Sequence, residues 1–426
     1  MRYVVLATVF VLGLATVLAP ISPDPAPGEV PGREPPPLSI CPLLEGGGQT
    51  TEVAVLSSIN GVGRLSTFSA GVETGSLDFR TGATGSVVVP ASEAGAVGDS
   101  AGLIELPSDT TAAGVVISGA SSLAAESCVG TSTPQAFIAG GSTASGAAFE
   151  LQILNPYAGE AVVDLTVATE AGLESDTRFD AVIIPALSTV TLDLTEMIPG
   201  RATISILMET SRGSALAVGR QTTEGETAIW RAVEAGQDWW LPVPVGGALK
   251  QMLLATPSAS EVEYQVDFYG PDGFVEALES GVLPARGELR VDLAAITEAS
   301  AGLRVISTGP VVPLLWMDSA AGMAATTASA VDAPLWLLPG ASGPAGGVGE
   351  LVVLNSGLDD VTVTVRSLRE QSLVRDFEMA AEGVVTADLV AANGYRVEAT
   401  GPVVVLWTSQ IGVASTAALG IPIQDG

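Results

Sequence analysis

The chain has 426 residues, of which 47% are hydrophobic and only 15% charged, so it holds ample material for several buried cores and lacks the composition of a disordered protein. Its 47 acids against 17 bases give a formal net charge of −30, a field that repels nucleic-acid phosphates and anionic lipid headgroups and favours a soluble monomer. Histidine is absent, which removes the usual proton-transfer residue near neutral pH and the commonest imidazole ligand of zinc, copper or iron.

The amino terminus, "MRYVVLATVFVLGLATVLAPI", places Arg2 before an uncharged run from Tyr3 to Ile21. As a helix rising about 1.5 Å per residue, that run spans roughly 29 Å, close to a bilayer core. Arg2 before it, with Asp24 and Glu29 after it, directs the rest of the chain outward. Residues 1–21 therefore read as a transmembrane signal anchor, with a signal peptide cleaved after Ala19 as the alternative. Residues 22–39 form a linker, and eight prolines fall between Pro20 and Pro37. Such a stretch favours extended polyproline II and acts as a semi-rigid spacer.

From Ile40 onward a unit of about 97 residues recurs. It opens near a bulky residue and a proline, as in "ICPLL" (Ile40), "WWLPV" (Trp239) and "LWLLPG" (Leu335), with "FIAGG" at Phe137. An apolar strand then ends in a polar turn: "VAVLSS" (Val53), "LQILNP" (Leu151), "QMLLATP" (Gln251) and "LVVLNS" (Leu351). Strands closing on Asp-Leu follow at Val190, Leu289 and Val385, and a glycine precedes a buried-looking strand in "GSALAVG" (Gly213), "GPVVPLLW" (Gly309) and "GPVVVLW" (Gly401). Apolar residues alternate with Thr, Ser, Asp and Glu at period two, and turn signals such as "YGPDGF" punctuate the runs.

This pattern predicts an all-β protein of four tandem immunoglobulin-like β-sandwich repeats, at residues 40–132, 133–236, 237–332 and 333–421. A β-propeller with two blades per repeat is the alternative. Cys41 lies in the first strand of the first repeat and Cys128 in its last, so an exported chain is expected to join them in a disulfide. The bridge closes the first repeat on itself, which suggests separately folded modules in a row.

Several motifs resemble sites. "GDSAG" (Gly98–Gly102) matches a serine-nucleophile pattern, but no histidine exists to serve as base and the sole lysine, Lys250, lies in another repeat. Trp240 and Trp336 in the opening strands, and Trp316 and Trp407 after "GPVV", recur in register and read as core. Trp230 and Trp239 fall outside that register and mark a ligand or interface contact at the junction of the second and third repeats. Carboxylate pairs such as Asp359 with Asp360, or Glu261 with Glu263, leave glycoside hydrolysis open. No residue is assigned to catalysis, a metal or a cofactor. The recurring turn residue, Asn155 and Asn355 with Ser57 and Thr256 near the same place, reads as scaffold.

The anchor, the Cys-Pro opening "ICP" and the tandem β-repeats with "LNP"-type turns resemble an exported actinobacterial family of unknown function. The resemblance implies source and compartment and carries no activity. The expectation is a non-enzymatic cell-envelope scaffold or adaptor. It would be tied to the membrane by its amino-terminal helix and would meet an envelope protein or glycan. A carbohydrate-binding or carboxylate-based glycan-active protein is the alternative.

Overall fold

The structure, a computed structural model, describes residues 38–423 apart from 46–47, 58, 83–84, 131, 246–248, 294–300, 320–321, 341–347, 369–371, 391–393 and 413. The expected anchor at 1–21 and nearly all of the linker lie outside the described residues. No helix among the described residues is long and apolar enough to cross a membrane.

Strands account for nearly all the regular structure, and they repeat one pairing order. In the first repeat they are β1 (Leu38–Glu45), β2 (Thr50–Ser57), β3 (Gly61–Ser69), β4 (Val72–Thr81), β5 (Ser86–Pro90), β6 (Gly98–Glu105), β7 (Thr111–Ser118) and β8 (Leu123–Ser127). They pair as two sheets, β1-β6-β3-β4 and β5-β2-β7-β8. The second repeat contains β9 (Gln135–Ile138), β10 (Ala147–Asn155), β11 (Ala161–Thr169), β12 (Gly172–Glu174), β13 (Val182–Ile184), β14 (Ser188–Asp193), β15 (Ile204–Arg212), β16 (Leu216–Thr223) and β17 (Glu226–Arg231). Its sheets are β9-β15-β11-β12, with β13 also on β11, and β14-β10-β16-β17.

The third repeat holds β18 (Gly236–Val243), β19 (Leu249–Ala255), β20 (Val262–Gly270), β21 (Gly273–Leu283), β22 (Glu288–Asp292), β23 (Ala301–Ser319) and β24 (Gly322–Thr327). The fourth holds β25 (Ala333–Leu338), β26 (Val348–Asn355), β27 (Val361–Ser367), β28 (Leu373–Met379), β29 (Val384–Val390), β30 (Tyr395–Ile411), β31 (Ala414–Leu419) and β32 (Ile421–Pro422). Here one long strand serves both sheets. The first part of β23 pairs with β18 and β20, and its second part with β19 and β24. The switch falls at Gly309-Pro310, and at Gly401-Pro402 in β30, where proline offers no donor to the ladder.

Alternation along the strands explains the layering. In β27, "VTVTVRS", the valines are buried while Thr362 and Arg366 are exposed and Thr364 is half-buried, as a half-buried pleated strand requires. Each sheet also pairs strands that are not consecutive in the chain, such as β1 with β6 and β2 with β7, so the chain crosses between two facing sheets as in a sandwich. The repeats are tandem β-sandwiches.

They do not stand apart, however. One apolar cluster runs through the second, third and fourth repeats and takes in Val116, Leu123 and Ala125 of the first, and residues 38–423 belong to one compact unit. The last strands pack in a circuit, β8 on β17, β17 on β24, β24 on β31 and β31 on β8. Small side chains in "LAAES", "GMAATT" and "ASTAAL" allow that approach, and Ser127 Oγ donates to Leu419 O at 3.0 Å across the closing contact. In addition, Leu56 and Ala112 of the first repeat cluster with Leu337 of the fourth and with Ile423.

The Cys41–Cys128 disulfide is present, with Cα atoms 4.6 Å apart. It joins β1 to the chain just beyond β8, beside a two-way backbone bridge between Ile40 and Val129 (2.8 and 2.9 Å). The second and third repeats make the same bridge without cysteines, Phe137 to Val233 and Trp240 to Ser329.

Candidate functional site

The shared turn residue is buried structure. Asn155 Nδ2 donates to Gly159 O (2.8 Å) and Ile184 O (3.1 Å), while its Oδ1 accepts from Tyr157 N (3.1 Å). Asn355 repeats the arrangement with Asp359 O (2.9 Å), Ala380 O (2.8 Å) and Gly357 N (3.0 Å). Ser57 and Thr256 do the same with a hydroxyl, accepting from Ile59 N (3.2 Å) and Ser258 N (3.1 Å). Each side chain holds the chain where a strand turns.

The serine-nucleophile pattern is likewise structural. Ser100 is buried, donating to Val97 O (2.7 Å) and accepting from Val97 N (3.2 Å). Lys250 is buried and its ammonium donates to Pro244 O, with burial pulling its pKa down and nearby Glu350 opposing that shift. Asp359 and Asp360 are exposed in a turn, where Asp360 Oδ1 accepts from Ala381 N (3.0 Å), and Glu261 and Glu263 are exposed on β20 and its approach.

Trp230 and Trp239 require a correction. Both are buried, so neither offers a ring face to a ligand. Trp230 stacks on Phe149 at 5.7 Å, meets Trp316 of the third repeat edge-on at 5.8 Å, and donates Nε1 to Ala139 O at 3.0 Å. Sequence position placed it at the junction of the second and third repeats, and it is there as internal packing.

The junctions differ in how they are filled. In the second, third and fourth repeats the sheet that carries one particular polar position lies against the preceding repeat. Counting five residues back from each turn residue gives Glu52, Glu150, Gln251 and Glu350. Between the first two repeats, Arg220 pairs with Glu150 and, at 3.2 Å, with Asp99, which also accepts from Thr191 Oγ1 at 3.0 Å. The gap left near Glu126 and Arg231 is only about 10 Å³, room for a single water. Between the third and fourth repeats Glu350 Oε1 accepts from Val245 N at 3.0 Å.

At the second-to-third junction the equivalent residue is Gln251, and an open-sided cavity of about 120 Å³ remains. Gly141, Ser142, Ala202 and Gln221 line it from one repeat; Gln251, Leu253, Arg290 and Trp316 line it from the other. Gln221 builds the first wall, donating to Ser142 O (3.1 Å) and Ala148 O (3.0 Å) and accepting from Ser142 N (2.8 Å). Arg290 donates to Ala202 O at 2.9 Å. Beneath it, burial pushes the Glu288 carboxyl up, opposed by the Ser205 hydroxyl donating at 2.9 Å and by Arg290.

Trp316 lines this cavity, contrary to its expected core role, and the reason is register. Trp407 stands six residues after its "GP" glycine and pairs with Leu351, whereas Trp316 stands seven after its own and pairs with Gln251. One residue of offset turns a side chain to the opposite face of a sheet. Trp407 is therefore buried inside its sandwich while Trp316 is half-buried at the junction. The extra residue was visible in "GPVVPLLW", as was Gln251 in place of glutamate, but their meaning depends on the strand pairing.

Four carboxyls at repeat junctions carry raised pKa values: Glu126, Glu226, Glu288 and Glu350, each chiefly through burial. Folded, these groups hold their protons to higher pH than in the unfolded chain, where a glutamate titrates near about 4.3. Their contribution to stability is thus full below that unfolded value and declines as pH rises through the folded ones. Glu170 and Asp176 are shifted down and act oppositely, losing their contribution only as pH falls through their lowered values. The melting temperature is expected to rise as pH falls from 7.5 towards about 4.3, with Glu126→Gln flattening the slope. A melting temperature that falls over that interval contradicts this assignment.

Comparison with known proteins adds one family. Residues 88–229 match a family of unknown function (DUF5719). That interval runs from β5 into β17, so it takes in the second half of one repeat and nearly all of the next. No curated protein matches the chain. Among solved structures, the Thermotoga maritima 1070 protein is 14% identical over 22% of this chain and 94% of its own, with a TM-score of 0.19. The alpha-L-rhamnosidase of Streptomyces avermitilis is 9% identical over 80% of this chain and 53% of its own (TM-score 0.13). A tetra-tandem repeat from the extending region of a large adhesion protein is 10% identical over 90% and 99% (TM-score 0.12). Likeness at these levels carries no argument about what this chain does.

Proposed function

We propose that this chain is a non-enzymatic scaffold or adaptor of the cell envelope, exported and held at the membrane by its amino-terminal segment. The observation that carries this reading is how the charged groups at the junctions are used. Arg220 ties Glu150 to Asp99, Glu350 holds the Val245 amide, and Glu126 accepts from Arg231 N at 3.0 Å. These groups, which elsewhere do chemistry, hold sandwiches together. The result is one disulfide-locked body suited to presenting loops and sheet edges to a partner protein. The proline-rich linker suits a body carried clear of lipid, and the net charge of −30 suits a monomer. The "ICP" opening and the dominance of arginine over lysine fit an actinobacterial source.

In cells with an intact envelope, the full chain is expected in the membrane fraction with its body cleaved by externally added protease. Cross-linking there is expected to recover it with a stoichiometric envelope partner. A cytoplasmic location, or turnover of a substrate by the purified chain, overturns the reading.

A further inference from the structure

We propose that the cavity between the second and third repeats is a binding site for one uncharged pyranose unit of a glycan. Trp316 is the first reason. Its ring lines the opening half-buried, braced edge-on by the buried Trp230, so it is a rigid apolar platform rather than a mobile surface side chain.

The polar groups around it are the second reason. Among the described residues the Gln251 amide has no hydrogen-bond partner, although it brings two donors and an acceptor to the wall. Arg290 commits one donor to Ala202 O, and its Nε stands 3.9 Å from Glu288, beyond hydrogen-bond reach. Guanidinium has five N–H donors, so several stay available on the open side. At the first-to-second junction, by contrast, the corresponding glutamate, Glu150, is neutralised by Arg220, which stands at the ladder position that Trp316 takes here.

Size and polarity then select the ligand. A closed apolar cavity of about 150 Å³ holds one benzene ring, so an open-sided space of about 120 Å³ accepts a six-membered ring whose remaining chain extends into solvent. It is too small to engulf the larger ligands that fill pockets of roughly 300–1,000 Å³. A pyranose presents a C–H face to Trp316 and Leu253 and an equatorial rim of hydroxyls to Gln251 and Arg290. A hydrocarbon side chain would leave those donors unpaired. A net charge of −30, with Glu170 and Glu174 near the same junction, disfavours an anionic sugar.

The site goes beyond the scaffold reading, which stands or falls on the envelope cross-linking. The test titrates the full chain with methyl glycosides of a neutral hexose, an N-acetylhexosamine and a hexuronate, and with a tyrosine-containing peptide, following tryptophan fluorescence. A neutral pyranoside is expected to bind with Kd on the order of 1 mM. Gln251→Ala should weaken it about tenfold and Trp316→Leu should abolish it, whereas Trp316→Phe should retain part of it. Gln251→Ala removes no internal hydrogen bond, so an unchanged melting temperature shows that its effect lies in binding. The inference is overturned if no neutral pyranoside binds at about 50 mM. Binding indifferent to both Gln251→Ala and Trp316→Leu, or preference for the hexuronate or the peptide, also overturns it.

Discussion

Replacing Cys41 and Cys128 together by serine is expected to lower the stability of the body by roughly 4–5 kcal/mol. The bridge spans a sequence separation of 87, and the chain-entropy cost of closing such a loop in the unfolded chain sets that magnitude. Both cysteines are buried, and the bridge sits where β1 meets the chain leaving β8. Because β8 touches both β17 and β31, loosening it acts on the first repeat and on both neighbours. The second and third repeats place Ile138 with Ala232, and Leu241 with Ala328, one step from the same backbone bridge, so packing alone holds them. In a denaturant titration the midpoint should fall and the slope should rise, because the unbridged chain unfolds to a more expanded state, and the melting temperature should fall by about 5 °C. An unchanged melt, or titration of free thiols in the untreated protein, contradicts this.

Trp230→Ala is expected to cost about 3–5 kcal/mol, the range for removing a buried aromatic ring. The loss has three parts: the stack on Phe149, the edge contact that carries the third repeat through Trp316, and the hydrogen bond to Ala139 O. Trp230→Phe retains a ring but strands the Ala139 carbonyl, so a smaller loss of about 1–3 kcal/mol is expected. Trp239 supplies the contrast. Among the described residues its indole N–H has no partner, so Trp239→Phe should change stability by less than about 1.5 kcal/mol. Chemical denaturation of the three variants checks the order, and equal losses for Trp230→Phe and Trp239→Phe would contradict it.

Much of the fold was legible because each repeat writes its own strands. Period-two alternation in "VTVTV", the "GP" dipeptides and the recurring turn residues each follow from local backbone chemistry, and Asn155 and Asn355 proved to be scaffold as their repetition implied. The cysteine pair was legible because the two residues open and close one repeat.

What escaped was set by contacts between repeats. Nothing local in "ETAIWR" says that Trp230 faces another repeat rather than solvent, and Trp239 gives no sign that its neighbours cover it. Trp316 looked equivalent to Trp407 until strand pairing exposed the one-residue offset introduced within "VVPLLW". The candidate cavity belongs to no single repeat: Gln221 and Ser142 come from one side, Gln251, Arg290 and Trp316 from the other. Separately folded modules in a row were a fair inference from one intra-repeat disulfide, but small residues on the last strands let all four repeats pack together, although the first keeps most of its core to itself.

The claim that these repeats close on one another is tested most directly by small-angle X-ray scattering on the folded body. A compact unit of this length has a radius of gyration of about 21 Å, and that is the value expected. An extended row of four separate sandwiches, with a radius of gyration above about 35 Å, would contradict the account.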